Sequence, residues 1–323
     1  MKTILRERYG GPDVLRIAEA EVPEPGQGEV LVKVEAAGTN TGDRHIMRGK
    51  PFAVRFFFPG LTRPKVRGLG LDFAGTVEKT GPAVTGLEVG DAVFGTLPEG
   101  GFGSFAEYVC APVEMTLERP AGVRPADAAV LPGSGITALQ ALRDSGGVEK
   151  GMDVLINGAS GGVGTYAVQI AKSFGATVTG VCSSANVELV RSLGADRVID
   201  YRSEDYAAEG PQYDLLLDLA AFRPLREALS AVRPGGKYVL VGGAPSATYR
   251  VMIFGAWHAW RSGREVKFHM SKATRHDLEF LRDLVTAGRV HAVVDRTFAL
   301  EEVPEAMRHL EEGRPRGKVA ILI

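Results

Sequence analysis

A glycine-rich turn between an apolar strand and an apolar helix carries the strongest chemical signal in the sequence. Residues 153–164 read DVLINGASGGVG, and the helical run VGTYAVQIAKSFG follows at 163–175. Glycine allows a tight turn and lets backbone amides at a helix N-terminus approach a pyrophosphate, whose charge the helix dipole favours. The pattern therefore predicts a dinucleotide site. Its expected residues are Ser160, Gly161, Gly162, Val163 and Gly164.

The end of the next predicted strand bears on the choice of nucleotide. An NAD site places a carboxylate about 20 residues after the glycine turn to receive the ribose hydroxyls. Here the strand at 177–181 is followed by CSSAN, which contains no acid. The side chains of Ser183, Ser184 and Asn186 can instead hold a 2′-phosphate. We therefore expect NADP(H) rather than NAD(H).

The same turn also fits a different chemistry. Gly158, Ser160 and Gly162 match the G-x-S-x-G elbow of serine hydrolases, and several histidines follow later in the chain. The glycines continue to Gly164, beyond what an elbow requires, and the upstream region lacks the strand–helix series of an α/β-hydrolase. A serine hydrolase using Ser160 stays a minor alternative.

The chain has two regions that differ in hydrophobic periodicity, and their strands and helices must position these residues. Up to about residue 122, short alternating apolar runs such as 29–37 and 71–79 indicate a compact, largely antiparallel β domain. The segment 51–67, with Phe52, Phe56, Phe57 and Phe58, is expected to be a long irregular loop. From about residue 125, strands alternate with helices, which predicts a parallel, doubly wound sheet. The apolar run 251–260 is expected to be a buried edge or a subunit contact.

Composition excludes several classes of protein. The 323 residues carry 38 Lys and Arg against 39 Asp and Glu, so a dedicated nucleic-acid binder is not expected. The two cysteines, Cys110 and Cys182, exclude a disulfide framework and a four-cysteine zinc lobe and favour a reducing, cytoplasmic location. No run of 18 apolar residues and no secretory signal is present, so no membrane span is expected.

Beyond the glycine turn, three further runs resemble the medium-chain dehydrogenase/reductase superfamily: GEVLV at 28–32, LDFAGTVEKTGPAVTGLEVGDAVFG at 71–95 and RPGGKYVLVGG at 233–243. Within it, the chain is similar to the zinc-independent quinone oxidoreductase branch. The resemblance implies an α/β fold with a Rossmann domain at about 124–265. It also implies a GroES-like catalytic β domain at 1–123, completed by about 266–323, an active site in the cleft between the domains, and a homodimer.

The resemblance also bears on the metal and the reaction. The zinc-ligand positions of alcohol dehydrogenases correspond here to Asn40, Leu71 and about Ser134, which form no zinc site of the His and Cys kind. No metal is therefore expected. The implied activity is NADPH-dependent hydride transfer to a quinone or an α,β-unsaturated carbonyl. A non-catalytic NADPH-binding regulatory protein stays an alternative.

Family motifs assign further residues by position. Asn40 is implied to donate a hydrogen bond to the substrate carbonyl, His45 to deliver a proton or organise water, and Asp43 to support their loop. The resemblance further implies cofactor contacts by Thr137, Tyr201, Gly242, Gly243, Phe268, His269, Met270 and Lys318.

Overall fold

A computed structural model describes residues 1–52, 54–57, 60–98, 100–243, 245–313 and 315–323. Its strands are β1 (Lys2–Leu5), β2 (Arg16–Glu19), β3 (Glu29–Gly38), β4 (Asp72–Thr80), β5 (Ala92–Thr96), β6 (Tyr108–Pro112), β7 (Thr116–Glu118), β8 (Asp153–Asn157), β9 (Thr177–Cys182), β10 (Arg197–Asp200), β11 (Tyr213–Asp218), β12 (Val232–Leu240), β13 (Glu265–Phe268), β14 (Val294–Ala299) and β15 (Lys318–Leu322). Its helices are α1 (Thr41–Arg48), α2 (Val54–Phe57), α3 (Pro125–Ala129), α4 (Pro132–Gln140), α5 (Gly162–Ser173), α6 (Val187–Ser192), α7 (Leu225–Ser230), α8 (Pro245–Ser262), α9 (Arg275–Thr286) and α10 (Val303–Glu311).

The chain divides into two compact units, Met1–Ser134 with Ala273–Ile323, and Gly135–Lys272. The sequence places these boundaries earlier, near 123 and 265. Helix α3 explains the first difference, because it packs directly on β3: a methyl group added at Gly38 would lie 2.3 Å from the carbonyl oxygen of Ala129. Residues up to the start of α4 therefore belong to the β unit.

The first unit is built around β3. Its main sheet has the order β14-β15-β3-β4-β5-β7, with β6 also paired to β3. The neighbours β4, β6 and β15 all run antiparallel to β3. Alternating apolar residues of β3, including Val30 and Val32, are fully buried in a core with Phe73, Val77 and Val93. This buried central strand fixes the register of the residues at its end.

The second unit contains the predicted doubly wound parallel sheet, which is confirmed. Its order is β10-β9-β8-β11-β12-β13, and every described pair is parallel. Numbered from β8, the strand order is 3-2-1-4-5-6, the arrangement that binds dinucleotides beyond the carboxyl ends of the strands where the order reverses. That switch point lies between β8 and β11.

Two segments differ from the sequence expectation. Residues 51–67 are not wholly irregular, because they include the short helix α2. Phe52 and Phe56 are exposed there, with their rings edge to face at 5.5 Å, and Phe58 lies outside the described residues. The run 251–260 lies within α8, and most of its large apolar side chains are exposed in the single chain, so the expected buried edge is wrong and the expected subunit contact stays a prediction. Its helical spacing was overlooked because the run is apolar almost throughout. In the described ranges, no helix has the length and apolar character needed to cross a membrane.

Candidate active site

The glycine turn is fastened to the neighbouring strand. Gly158, directly after β8, has a φ of +90°, a backbone conformation that glycine adopts readily. The amides of Gly158 and Ala159 donate to the carbonyl oxygen of Val181 at 3.1 and 3.0 Å. Gly161 then forms the N-cap of α5 in an extended conformation. The turn is thus held rigidly at the carboxyl ends of β8 and β9.

The glycines within the turn have different physical roles. A methyl group on Gly164 would lie 2.1 Å from the carbonyl oxygen of Gly158, so this glycine permits close packing of helix and strand. At Gly161 the nearest atom to such a methyl group is 3.4 Å away, an ordinary contact. The first amides of a helix have no intrahelical acceptor. Gly161 therefore leaves open space beside amides that can bind an anion, and the turn fits a dinucleotide pyrophosphate.

A buried carboxylate fixes the switch point. Asp218, at the end of β11, accepts hydrogen bonds from Asn157 Nδ2 at 2.8 Å, the Tyr238 hydroxyl at 2.9 Å and the Ala221 amide at 2.7 Å. Asp218 is fully buried, and burial raises the pKa of Tyr238 above its ordinary range. These bonds join the ends of β8, β11 and β12. Sequence reasoning missed Asp218, although its place at the end of an apolar strand was a usable signal.

The polar residues after β9 form a connected cluster. Asn186 Nδ2 donates to Ser160 Oγ at 3.0 Å and lies 3.3 Å from Ser183 Oγ. Asn186 Oδ1 is buried and has no hydrogen-bond partner among the described residues, which marks a place for a further donor. The amide of Tyr201 donates to the Cys182 carbonyl, and its side chain is exposed. The structure thus brings together the residues that the sequence assigned to the adenosine end of the cofactor.

A carboxylate from the adjacent strand also reaches this cluster. Asp200, the last residue of β10, accepts a hydrogen bond from the Ser184 hydroxyl and another from the Arg202 amide at 3.0 Å. The Ser184 hydrogen bond is the main cause of the lowered pKa of Asp200. The sequence analysis looked for an acid only on β9 and missed it. Asp200 therefore lies beside the hydroxyl and amide donors that the sequence analysis assigns to the 2′-phosphate.

The remaining predicted cofactor residues of the second unit lie at the carboxyl ends of β12 and β13 and on α4. Gly243 has a φ of +118°, and a methyl group on it would lie 2.4 Å from the Ala220 carbonyl oxygen, so glycine is required there. A methyl group on Gly242 would lie 3.0 Å from the Leu219 carbonyl oxygen. Thr137 Oγ1 donates to Ser271 Oγ at 3.0 Å, which ties α4 to the segment after β13.

That segment contains the last three predicted residues. His269 Nδ1 lies 2.9 Å from Ser145 Oγ, and burial lowers the pKa of His269. Its Nε2 is buried and without a partner among the described residues. Phe268 packs against the core and Met270 is exposed. Met270 and His269 therefore present an apolar side chain and an unpaired polar atom at this edge of the sheet.

Ser160 lacks the geometry of a hydrolase nucleophile. Its hydroxyl oxygen accepts from Asn186, and no histidine in the described part of the chain hydrogen-bonds to it. A nucleophile elbow holds its serine in a strained backbone conformation, whereas the positive φ in this turn belongs to Gly158. The turn therefore does not supply the base that a serine hydrolase needs.

The first unit assembles a polar cluster at one end of its sheet, and strand register explains how. Gly38, the last residue of β3, pairs with Asp72 on β4 and with Ala320 on β15. Continued by two residues, the second register sets Lys318 opposite Asn40. Asp72 and Lys318, which lie 32 and 278 residues from Asn40 in the sequence, thus contact its side chain.

The carboxamide of Asn40 is held from both sides. Lys318 Nζ donates to Asn40 Oδ1 at 2.6 Å, and Asn40 Nδ2 donates to Asp72 Oδ2 at 2.8 Å. Because an ammonium can only donate, the carboxamide oxygen must face Lys318. A methyl group on Gly133 would lie 2.7 Å from Asp72 Oδ2 and 3.1 Å from Asn40, so only glycine fits there. One N–H of the carboxamide, with no acceptor among the described residues, is left for a ligand.

Lys318 is buried and fully hydrogen-bonded. Besides Asn40, its ammonium donates to the Thr39 carbonyl oxygen at 2.6 Å and to Ser134 Oγ at 2.9 Å. Burial lowers the pKa of Lys318 to about 8, although Asp72 and Asp43 oppose the shift. All three N–H groups are used by protein oxygens. We therefore propose that Lys318 positions Asn40, rather than contacting the cofactor as the resemblance implies.

The donor set around Lys318 does not fit a zinc ion. Zinc in proteins is bound by thiolate, imidazole and carboxylate groups. Here the residues at the family's ligand positions are Asn40, Leu71 and Ser134, and an ammonium already bonds to two of them. Within the described ranges, no three His, Cys, Asp or Glu side chains group in a way that could hold a metal.

Asp43 stabilises the start of α1 from a buried position. Its Oδ2 accepts from the Asn40 amide at 2.7 Å and its Oδ1 from the Gly70 amide at 3.1 Å. Burial raises the pKa of Asp43 to about 7, and the nearby Asp72 adds to the shift. Asp43 thus joins the loop that carries Asn40 to the start of β4.

Replacing Asp43 by Asn should remove part of the pH dependence of stability. The folded carboxyl holds its proton up to about pH 7, whereas an unfolded one releases it near pH 4, so raising the pH between these values favours unfolding. We expect the free energy of unfolding of the native protein to fall by about 2 kcal/mol more than that of Asp43→Asn between pH 5 and pH 7.5. Urea titrations at both pH values measure this difference. Parallel pH profiles for the two proteins would show that Asp43 does not titrate in this range.

His45 lies on the same helix, and its hydrogen bonding favours the second of its two expected roles, organising water. Its Nδ1 lies 2.9 Å from the Lys50 carbonyl oxygen, which can only accept, so Nδ1 carries the proton. Burial lowers the pKa of His45. The neutral ring then presents an unprotonated Nε2. His45 is suited to accept a hydrogen bond from water rather than to donate a proton.

Comparison with known proteins places this site in a family. Residues 26–121 match the alcohol dehydrogenase GroES-like domain, and residues 193–321 match the zinc-binding dehydrogenase family. A chloroplast envelope quinone oxidoreductase homolog of Arabidopsis thaliana is 33% identical, with 97% of this chain and 95% of the relative covered. The chain belongs to the medium-chain dehydrogenase/reductase superfamily. The predicted Rossmann and GroES-like fold is confirmed, and the chain is an oxidoreductase of the quinone oxidoreductase-like branch.

Two further similar proteins also match this chain over most of their length. Trans-enoyl reductase pgmF of Aspergillus terreus is 36% identical, with 92% of this chain and 87% of the relative covered. The solved structure of the quinone oxidoreductase from Coxiella burnetii has a TM-score of 0.89 and 30% identity, with 100% of this chain and 99% of that chain covered. This medium-chain dehydrogenase/reductase thus matches both kinds of relative over nearly its whole length.

Proposed function

We propose that this protein is an NADPH-dependent, zinc-independent reductase of conjugated acceptors, either an α,β-unsaturated carbonyl or a quinone. The observation that carries the proposal is the Asn40 carboxamide, held by Lys318 and Asp72 with one N–H remaining. A fixed N–H donor stabilises an oxygen that gains negative charge, which is what a carbonyl oxygen does when its conjugated double bond accepts hydride. The quinone oxidoreductase and enoyl reductase relatives support this substrate class.

In this proposal, the chain's own residues bind the cofactor, orient the acceptor and polarise its carbonyl group. The amides at the start of α5 hold the pyrophosphate, and Ser183 and Asn186 receive the 2′-phosphate, while the Ser184 hydroxyl donates to Asp200. When bound, the reduced nicotinamide supplies the hydride. Asn40 donates its remaining N–H to the acceptor carbonyl, and the buried cluster beneath it keeps that donor in place without reorganisation. The protein contributes geometry and electrostatics rather than a covalent intermediate.

Water supplies the proton in this proposal. His45 is a poor donor because its pKa is lowered and its single N–H is used by the Lys50 carbonyl oxygen. Its Nε2 can orient a water molecule by accepting a hydrogen bond. The ammonium of Lys318 provides the fixed positive charge near Asn40, and no metal ion takes part.

Changing Asn40 to Ser should separate turnover from cofactor binding. Serine keeps an N-cap side chain at the start of α1 but loses the carboxamide N–H. Removing one such donor typically lowers kcat by about 100-fold or more, and we expect that loss with an unchanged dissociation constant for NADPH. Steady-state rates with a 2-alkenal, together with NADPH fluorescence titration, measure both. Full activity in Asn40→Ser would remove Asn40 from the catalytic residues.

Changing Asn186 to Lys should tighten NADPH binding. The ammonium adds a charge-assisted hydrogen bond near Ser160 and Ser183, and we expect roughly fivefold higher affinity for NADPH with little change for NADH. Asn186→Met, of similar length but neutral, is the matched control and should not gain affinity. An equal gain for NADH would mean that the 2′-phosphate does not lie at the end of β9.

A further inference from the structure

The side chain of Arg6, which directly follows β1, is buried in the first unit although it carries a charge. It is only 2% exposed. Its Nη2 donates to the Val66 carbonyl oxygen at 3.1 Å, and its backbone amide donates to the Arg67 carbonyl oxygen at 3.1 Å. Its Nε and Nη1 are also buried, and they have no hydrogen-bond partner among the described residues. Three of the five N–H groups of this guanidinium are therefore available to a ligand.

The surroundings of Arg6 do not neutralise its charge. Across the part of the chain that the structure describes, Arg6 forms no ion pair with a carboxylate. The Tyr9 ring, whose centre lies 5.8 Å from Arg6 Cζ, compensates in part. Burial lowers the pKa of Arg6 to about 10, although Tyr9 and Asp43 oppose the shift, so the guanidinium stays charged at neutral pH. Because an unpaired buried charge is costly, an anion that paired with it would stabilise the folded chain.

Arg6 lines a small cavity within the first unit. The lining includes the apolar side chains of Ile46 and Phe102, the Tyr9 ring and the exposed Lys65. The Tyr9 hydroxyl donates to the Gly60 carbonyl oxygen at 2.7 Å, so its proton is already used. The enclosed space admits about one sphere of the size of a water molecule. A monatomic ion therefore fits this cavity better than a phosphate or a carboxylate, which consist of several heavy atoms.

The chain around the cavity is strongly basic. Residues 44–71 contain seven Lys and Arg and no Asp or Glu, in a protein whose net charge is −1. Of these seven, only Arg48 forms an ion pair with a carboxylate in the described ranges, and its partner is Glu311. The Arg55 guanidinium lies 4.5 Å from the centre of the Tyr9 ring. The local potential is thus positive, which attracts an anion and disfavours a cation.

We propose that the cavity beside Arg6 binds a single halide ion, which in the cell is chloride, in contact with Nε or Nη1 of Arg6. A water molecule would accept a hydrogen bond there but would leave the guanidinium without a counter-charge. The apolar part of the lining favours weakly hydrated ions, because a buried ion gives up its hydration. Bromide should therefore bind at least as well as chloride, and fluoride, which holds its water most strongly, should bind least.

Bromide locates the site directly. In crystals of the full chain grown with sodium bromide, we expect an anomalous difference peak within about 3.5 Å of Arg6 Nε or Nη1. The peak should be absent from crystals of Arg6→Met, a neutral variant of similar length. Arg8→Met is the matched control, since Arg8 is exposed two residues further on and its loss should leave the peak in place. A water molecule at this position, or bromide only at other surface positions as an adventitious ion only, would overturn the proposal.

Thermal melts measure the binding in solution. When about 200 mM sodium gluconate is replaced by sodium chloride at constant ionic strength, we expect the Tm of the native protein to rise by about 3 °C, which corresponds to a dissociation constant of about 20 mM. Fluoride should give no rise. Arg8→Met should respond like the native protein, whereas the Tm of Arg6→Met should not depend on chloride.

Two results of these melts would overturn the proposal: an equal rise with fluoride and chloride, or an equal response to chloride in Arg6→Met and the native protein. The order of the halides and the bromide peak are both measured on the native protein. They decide the question even if Arg6→Met does not fold.

Discussion

A Gly161→Asp variant loses NADPH affinity by at least ~100-fold while remaining folded. The backbone at Gly161 is extended, and a new side chain there meets nothing closer than 3.4 Å, so the substitution fits. Aspartate is also a favourable N-cap, and stability should be equal or slightly higher. Its carboxylate would occupy the first amides of α5 and repel a pyrophosphate. Calorimetric titration with NADPH, beside a thermal melt, measures both effects.

Gly161→Asn is the control for this prediction. Asparagine has almost the same shape and N-cap preference but no charge, so its loss of affinity should be clearly smaller. Gly164→Ala provides the opposite case, since its methyl group would lie 2.1 Å from a backbone oxygen and should destabilise the turn itself. Native NADPH affinity in Gly161→Asp would mean that these amides do not bind the cofactor.

A Lys318→Met variant loses about 100-fold or more in kcat and several kcal/mol of stability, with NADPH affinity unchanged. Methionine fills similar space but leaves three protein oxygens without their donor and Asp72 without its counter-charge. Asn40 then has nothing to hold its carboxamide oxygen. Initial rates, NADPH titration and urea unfolding test the three parts separately.

The double variant Lys318→Met with Asp72→Asn tests the role of charge. Removing both charges should recover part of the lost stability, because no buried carboxylate remains unpaired, yet activity should stay low because Asn40 is no longer oriented. In the native protein, kcat should also fall above about pH 8 as Lys318 loses its proton. Lys318→Met with native kcat would contradict the positioning role.

Local patterns were enough to predict the second unit and its glycine turn. An apolar strand, four glycines and an apolar helix are adjacent in sequence, so Gly158 to Gly164 could be interpreted without tertiary contacts. The alternation of strands and helices likewise predicted the parallel sheet. The roles of Asp200 and Asp218 were missed, because each depends on which strands become neighbours.

The cluster around Asn40 could be predicted only in part. The family motif singled out Asn40 and the apolar run after Lys318 marked the last strand, but their contact depends on the register of β15 against β3. Local sequence does not encode a pairing across 278 residues. The raised pKa of Asp43 has the same origin, since burial by distant segments causes it. The exposed face of α8 was missed because composition alone does not tell which side of an apolar helix packs.

Transfer of deuterium from the cofactor to the product tests the central claim most directly. NADPH carrying deuterium at nicotinamide C4, in each of its two stereochemical forms, is mixed with the protein and a 2-alkenal, and the product is analysed by mass spectrometry and NMR. If Asn40 polarises the carbonyl during hydride transfer, one of the two forms yields a saturated aldehyde with one deuterium on the carbon β to the carbonyl. Saturated aldehyde without deuterium from either form, or recovery of both the alkenal and an added quinone unchanged with NADPH bound, would contradict it.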